Sequence, residues 1–213
     1  MRTLRTLSTL AVGGSLLALS LQAPVTAATA AAAPTSSAAS VSASAPIKGG
    51  QTTVTTVRGL GGVLLENGLS AYATSPGKTG VRIAGDNLSL SFGFPVTGGR
   101  ATVDPLAGKV EHRGDLSFVN AKNGKRIKVG DFVIDLAKGK VTGNVNDDPK
   151  VRVPVFDLDL SAAKLKAEGS VVRARNIRVK LTGVAAGALN KALKTHLFKA
   201  GLRIGTASTT LHL

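Results

Sequence analysis

The 213-residue chain contains no cysteine and no tryptophan, and only one tyrosine and one methionine. Without cysteine there is no disulfide framework, thiolate nucleophile, iron–sulfur cluster or zinc–cysteine site. Aromatic residues make up 3% of the chain and hydrophobic residues 43%, so alanine, valine and leucine are expected to build the core. Only 12 acidic residues oppose 27 basic ones, which gives a formal charge of +15. This imbalance favours anionic partners but indicates nothing about the fold.

The sequence also lacks the local motifs of common enzyme classes: it has no nucleophile elbow, P-loop, HExxH or dinucleotide-binding fingerprint. Two pairs of aspartates share strand faces, Asp131 with Asp135 and Asp157 with Asp159. Their spacing would permit a paired carboxylate site, but polar alternation on a solvent-facing side predicts the same pattern. With three histidines in all, no metal site is predicted, and we expect a protein that is not an enzyme.

The first 30 residues have the parts of a secretory signal peptide. Arg2 and Arg5 form a positive region, Leu7–Leu21 is apolar, and small residues follow. No second apolar run reaches spanning length, so the mature chain is predicted to have no transmembrane span. Residues 31–48 are rich in Ala, Ser, Thr and Pro and predict a disordered linker. The folded domain is expected at residues 49–213, secreted and either extracellular or associated with the cell wall.

From residue 52 onward the apolar residues mostly recur at every second position. The clearest case is residues 87–96, where Leu, Phe and Val alternate with small or polar residues. Residues 109–119 repeat this alternation. Asn123-Gly124 is a strong hairpin signal, because both residues tolerate positive φ, and residues 126–136 are predicted to form the returning strand, with a bulge at Gly130.

Two later strands change the face that carries their apolar residues. The change occurs near Val155 in residues 151–160 and near Asn176 in residues 171–181. One extra residue at each point would restore the apolar set to the core, so a β-bulge is predicted at both. Short strands separated by turn signals predict a mainly β fold, either an antiparallel β-sandwich or an open barrel.

One segment near the C-terminus has a helical period instead. Residues 183–200 carry an apolar stripe, Thr182 can cap the start, and Gly201 can close the end. The sequence therefore predicts one C-terminal amphipathic helix followed by a last strand.

Two stretches of the sequence resemble a known domain family. The run "FGFPVTGGRATVDPLAGKVEHRGDLSF" and its continuation to Val145 contain a Phe-rich strand, a Gly turn and a "GxVxxxGxLxF" pattern. The later stretch "LTGVAAGALNKALKTHLFKAGLRIGTA" has a Leu-Thr start, an alanine-rich helix and an aromatic-x-x-Gly. Both are similar to the Htaa, or haem-transport-associated, domain of secreted bacterial proteins, over roughly residues 57–207. The resemblance implies a β-rich fold with helical additions.

The resemblance also implies haem as the ligand. In the best-known members a tyrosine in an N-terminal segment binds the iron, supported by a histidine after the "GxLxF" strand and a second tyrosine near the C-terminal helix. Tyr72 matches the first tyrosine. The histidine position falls at Asn120 and Ala121, and the second tyrosine position falls on Phe198, so neither supporting side chain is present.

The sequence alone allows two interpretations for each of two candidate haem ligands, Tyr72 and His112. A tyrosine oxygen suits ferric haem, but Tyr72 could equally pack in a loop with its hydroxyl hydrated. His112 lies on the apolar face of its strand, which predicts either a ligand in a cavity or a buried histidine bonded to the backbone. His196 lies on the apolar stripe of the helix and is expected to be structural. His212 is expected to be exposed.

Positive charge is concentrated near the C-terminus. Residues 164–203 hold ten basic residues and one acidic residue, a net charge of +9. The predicted contacts with an anionic surface are Arg173, Arg175, Arg178 and Lys180. Nucleic acid is a poor partner for a secreted chain without stacking aromatics. Two functions follow: a haem or porphyrin binder that serves iron acquisition, or a structural or adhesive module held to anionic cell-wall polymer. A solvated basic face is the alternative to both.

Overall fold

The computed structural model describes residues 44–213, so the predicted signal peptide and linker residues 31–43 lie outside the described residues. Thirteen strands occur in the described part of the chain: β1 (Ala45–Pro46), β2 (Gly49–Thr56), β3 (Leu69–Ala73), β4 (Lys78–Ala84), β5 (Asn87–Thr102), β6 (Ala107–His112), β7 (Asp115–Asn120), β8 (Lys125–Asp135), β9 (Lys140–Val145), β10 (Asp148–Asp159), β11 (Lys164–Glu168), β12 (Val171–Leu181) and β13 (Arg203–His212). The two helices are α1 (Leu60–Glu66) and α2 (Gly183–Leu193).

Eight of the strands form a closed antiparallel barrel. The order around the ring is β5, β2, β13, β12, β10, β9, β8 and β6, and β6 pairs back onto β5. The other five strands extend this ring: β1 and β4 pair with β5, β7 pairs with β8, β3 pairs with β7, and β11 pairs with β12. The predicted mainly antiparallel β fold is confirmed, and its barrel is closed.

All three predicted bulges are present. The pairing of β8 with β9 shifts register between Gly130 and Val133. The pairing of β10 with β9 shifts register between Pro154 and Phe156. The pairing of β12 with β13 shifts between Ala174 and Ile177, where Asn176 has a φ of 60°. Apolar side chains remain buried or half-buried on both sides of each shift, except Val151 near the start of β10, which is exposed.

Helix α2 begins where the sequence predicts and ends earlier. The hydroxyl of Thr182 accepts a hydrogen bond from the backbone N–H of Ala185, at 3.1 Å, and so caps the start. The helix stops at Lys194, whose φ and ψ of 54° are left-handed. The predicted end at Ala200 is therefore wrong. The Asn190 side chain bonds both the N–H and the carbonyl of Phe198, which folds residues beyond the helix back over it.

Helix α1 is absent from the sequence prediction, because seven residues that include two glycines carry little helical signal. Packing explains why a glycine is needed there. A Cβ at Gly61 would lie 2.7 Å from Cγ of Leu88, so only glycine lets the helix approach β5 this closely.

The paired residues begin at Ala45, ahead of the predicted domain start at Gly49. Ala45 pairs with Ala101 of β5, and Ile47 is buried in a cluster with Val96 and Ala101. This short strand lacks a clear alternating pattern, so its sequence resembles the preceding linker.

The largest core cluster extends from the barrel interior to α2. Leu189 and Leu193 of α2 are buried against Leu181, Val155 and other barrel residues, and Leu64 of α1 joins the same cluster. The two helices therefore cover one end of the barrel. No helix within residues 44–213 is long and apolar enough to span a membrane.

Truncation of the inner face of α2 should destabilise the domain. Leu189→Ala removes buried side-chain volume from the largest cluster and should cost about 2–5 kcal/mol of unfolding free energy. The matched control is Val184→Ala on the exposed face of the same helix, which should cost less than about 1 kcal/mol. Urea unfolding of residues 44–213 measures both. Equal losses would contradict the packing of α2 on the barrel.

Candidate functional site

The barrel encloses an apolar cavity of about 130 Å³. Its lining consists almost entirely of aliphatic and aromatic side chains contributed by strands from all around the ring. The main polar groups in this lining are Thr52, Thr209 and His112. Thr52 and Thr209 lie on the adjacent strands β2 and β13, and β5 separates β2 from β6, which carries His112. The cavity is a candidate ligand site.

His112 is buried and fully hydrogen-bonded. Its Nδ1 lies 3.2 Å from the carbonyl oxygen of Phe132, and its Nε2 lies 2.8 Å from the hydroxyl of Thr52. Because a carbonyl only accepts, Nδ1 carries the proton and donates, and Nε2 accepts from the Thr52 hydroxyl. The Thr52 oxygen lies 2.8 Å from the hydroxyl oxygen of Thr209, so Thr209 is the donor in that pair.

Burial decides the charge of this histidine. Desolvation in the barrel wall lowers the pKa of His112 from 6.5 to about 4, although hydrogen bonds to backbone groups of Phe132 and Val110 oppose the shift. His112 is therefore neutral at pH 7, and its acceptor nitrogen is already engaged by Thr52.

Tyr72 lies on the outer face of the β3–β7–β8 sheet. Leu69 and Ala71 of β3 are buried, whereas Ser70 and Tyr72 face outward, and Tyr72 is 42% exposed. Tyr72 pairs with Ser117, which in turn pairs with Lys128. Within the described residues, no side chain or backbone group is hydrogen-bonded to the Tyr72 hydroxyl.

The two candidate haem ligands are not brought together. His112 faces the barrel interior, whereas Tyr72 faces outward and does not line the cavity. The two positions that the Htaa resemblance assigns to supporting ligands are structural: the Asn120 amide donates to the carbonyl of Leu193 at 2.9 Å, and Phe198 is buried against Phe118.

The four predicted anionic-surface contacts lie on β12, and three of them have acidic partners. Arg173 pairs with Glu168 at 2.5 Å, and Arg178 and Lys180 share Asp159 at 3.3 and 3.8 Å. Hydrogen bonds from Ser161, and then from Arg178, lower the pKa of Asp159 to about 2. Much of the charge on this face is therefore already compensated.

Arg175 differs from its three neighbours. It pairs across the strands with Lys164 of β11, and within residues 44–213 neither cation has a carboxylate inside 4 Å. Sequence reasoning did not single out Lys164, because its position opposite Arg175 depends on the β11–β12 register. It also missed Thr52 and Thr209, which are distant from His112 in sequence and whose types are ordinary in strands.

Three of the four aspartates considered as two carboxylate pairs are engaged in surface ion pairs or turns, Asp159 among them. Asp157 bonds to Lys140 at 2.5 Å, and Asp135 accepts from the N–H of Lys138. In the part of the chain that the structure describes, no three His, Asp or Glu side chains are grouped so that they could hold a metal ion.

The buried histidine should make stability depend on pH. Its folded pKa of about 4 lies below the unfolded value of 6.5, so the unfolded state binds more protons between these values. The contribution is complete above pH 6.5 and decreases as the pH falls towards 4. We expect the unfolding free energy to drop by about 2 kcal/mol between pH 7 and pH 4.5.

Urea unfolding at the two pH values measures this loss, and His112→Gln should remove most of it. The comparison with His112→Gln is informative because the lowered pKa of Asp159 places the titration of that carboxyl below this pH range. A variant with the wild-type pH dependence would contradict the assignment.

No protein-family model and no curated protein sequence matches the chain. Crystal structures of HtaA from Corynebacterium glutamicum are similar to it. The C-terminal domain of HtaA is 14% identical with a TM-score of 0.53, and the match covers 78% of this chain and 98% of that domain. A domain-swapped dimer of a variant of that domain (16% identity, TM-score 0.47, 71% and 88% coverage) and the N-terminal domain (12%, 0.43, 77% and 97%) also match. The resemblance predicted from the sequence is confirmed at the level of structure: the described residues have the fold of the HtaA C-terminal domain.

Proposed function

We propose that this chain is a secreted, non-enzymatic binding domain that holds haem, or a similar porphyrin, on its outer surface at Tyr72. The observation that carries the proposal is the accessible phenol: the side chain is 42% exposed, and its oxygen has no hydrogen-bond partner in the described residues. A tyrosine oxygen is an established type of ligand for haem iron. The HtaA-like fold and the Htaa-like motifs support this proposal.

Neighbouring side chains on the same outer face suit a planar, anionic ligand. Val119 lies opposite Ser70, and Arg126 lies opposite Val119 on the next strand. Val119 offers apolar surface, and Arg126 has no carboxylate inside 4 Å within residues 44–213. A guanidinium can pair with a carboxylate through two parallel hydrogen bonds, which suits a haem propionate. Bound haem would supply a ferric iron, and Tyr72 would coordinate it.

The barrel interior does not fit a porphyrin. Its cavity of about 130 Å³ is well below the roughly 300–1,000 Å³ of pockets that hold drug-sized ligands. His112 is also engaged by Thr52 and Phe132. Iron coordination therefore depends on Tyr72 alone, and we expect weaker binding than in domains with supporting ligands.

Hemin titration tests this proposal. Wild-type protein should give a saturable shift of the Soret band, and Tyr72→Phe should abolish it because the ligating oxygen is lost. Ser70→Ala is the matched control, since it lies on the same strand and the same face but removes no phenol. Absence of a saturable shift in the wild type, or identical titrations of wild type and Tyr72→Phe, would refute haem ligation by this residue.

A second candidate function, adhesion to anionic cell-wall polymer, is favoured by the Lys164–Arg175 pair. These two cations face each other across β11 and β12, and no carboxylate in the described residues neutralises them. The ion pairs of Arg173, Arg178 and Lys180 leave those side chains less available to a polymer.

Sedimentation with isolated cell walls over a salt series tests this second candidate. Retention should be strong at low salt and collapse by roughly 0.5 M, because exposed charges are screened beyond a few ångströms there. The double substitution Lys164→Ser with Arg175→Ser should weaken retention at low salt. The control Lys122→Ser with Lys125→Ser removes the same charge at the β7–β8 turn and should behave like the wild type. Salt-independent retention, or equal effects of the two double variants, would argue against this function.

A further inference from the structure

The barrel interior is a separate candidate site from the outer face at Tyr72. We propose that it binds the hydrocarbon tail of a single-chain anionic amphiphile, such as a medium-chain fatty acid, whose headgroup stays at the barrel rim. The inference does not depend on haem binding, because the cavity and Tyr72 lie on opposite faces of the wall.

The cavity is closed at one end and reaches the surface at the other. Helices α1 and α2 cover the first end. At the opposite end, the lining continues into the β5–β6, β8–β9 and β10–β11 turns. There the lining residues Val103 and Leu165 are 37% and 43% exposed. An apolar path therefore connects the interior with solvent at this rim.

The size of the cavity selects a narrow tail. An apolar cavity of about 150 Å³ holds a benzene-sized molecule, so about 130 Å³ encloses roughly six carbon atoms. That space excludes a porphyrin and the paired tails of a two-chain lipid. A linear alkyl chain can place its end inside and leave its remaining carbons along the apolar rim.

The polarity of the lining decides where the headgroup lies. The buried polar groups are satisfied among themselves: Thr209 donates to Thr52, Thr52 to His112, and His112 to a backbone carbonyl. None of these groups carries a charge that could compensate a buried carboxylate, and an unpaired buried charge is costly. The anionic headgroup must therefore remain outside.

Cations are available at the rim. Lys164 begins β11 directly after the β10–β11 turn, whose Leu160 and Ala163 line the cavity. Its cross-strand neighbour Arg175 adds a second positive charge. Both side chains project from the outer face of the wall, because their neighbours Leu165 and Ala174 line the cavity. An amphiphile with its tail inside reaches them with its carboxylate over the unpaired edge of β11, and within residues 44–213 neither cation has a carboxylate inside 4 Å.

Calorimetric titration with a series of fatty acids below their micelle concentrations tests the proposal. Affinity should rise about fourfold per added methylene from butanoate to octanoate, as expected for buried hydrocarbon. The increment should then flatten once the interior is full. Affinity that does not change with chain length, or no saturable binding of octanoate at millimolar concentrations, would overturn the proposal.

Paired variants locate the site. Ala207 lines the cavity, so Ala207→Leu fills it and should weaken octanoate binding at least tenfold. Ser208→Leu, at the next and exposed position, should bind like the wild type. Leu165→Asp at the rim provides a second test if Ala207→Leu fails to fold. Octanoate binding that survives both the Ala207 and the Leu165 substitutions would place the ligand elsewhere and overturn the proposal.

Two further comparisons measure the contribution of the headgroup to binding and test whether this site is independent of Tyr72. Lys164→Ser with Arg175→Ser should weaken octanoate binding several-fold and leave 1-octanol binding unchanged. Tyr72→Phe should leave octanoate binding unchanged, so the failure of haem ligation and the failure of this inference are distinguishable. Loss of octanoate binding in Tyr72→Phe would contradict an interior site.

Discussion

Three residue pairs between β6 and β8 turn the sheet into a barrel: Lys109 with Asp135, Val110 with Ile134, and Glu111 with Val133. Without them the sheet would end at two edges and enclose no cavity. The β5–β6 hairpin that delivers β6 is unusually tight. A Cβ at Gly99 or Gly108 would lie 2.1 Å from a carbonyl oxygen of the opposite strand, and both residues have φ above 100°. Glycine at these positions is therefore a condition for closure.

Closure of the barrel also places inward-facing and outward-facing side chains in different chemical environments. Inward-facing residues share an apolar interior, in which His112 is neutral and satisfied by Thr52 and a carbonyl. Outward-facing residues of the same wall, among them Tyr72 and Arg175, remain in contact with solvent. A strand position one residue away can thus belong to a different site, since successive side chains point to opposite faces. This separation explains why the Tyr72 and His112 candidates do not converge.

Local sequence signals predicted much of the fold. Alternation and the break in its phase predicted the strands and the bulges at Val155 and Asn176, because each depends on a few adjacent residues. Features that depend on contacts between residues far apart in the sequence could not be predicted from local signals. The pairing of β6 with β8, the Thr52 hydroxyl on His112 and the early end of α2 all involve contacts made only after folding. Helix α1 was missed because its packing on Leu88, rather than its composition, stabilises it.

Strand β11 remains outside the ring and pairs on one side only, so it retains a free edge. All five of its residues are exposed, and Lys164 and Lys166 occupy alternate positions. Charged side chains on an unpaired edge oppose its addition to a strand of another molecule. The lysines that flank the cavity rim thus also protect the protein from self-association. Replacement of these lysines by apolar residues would therefore extend the apolar rim and at the same time remove this protection.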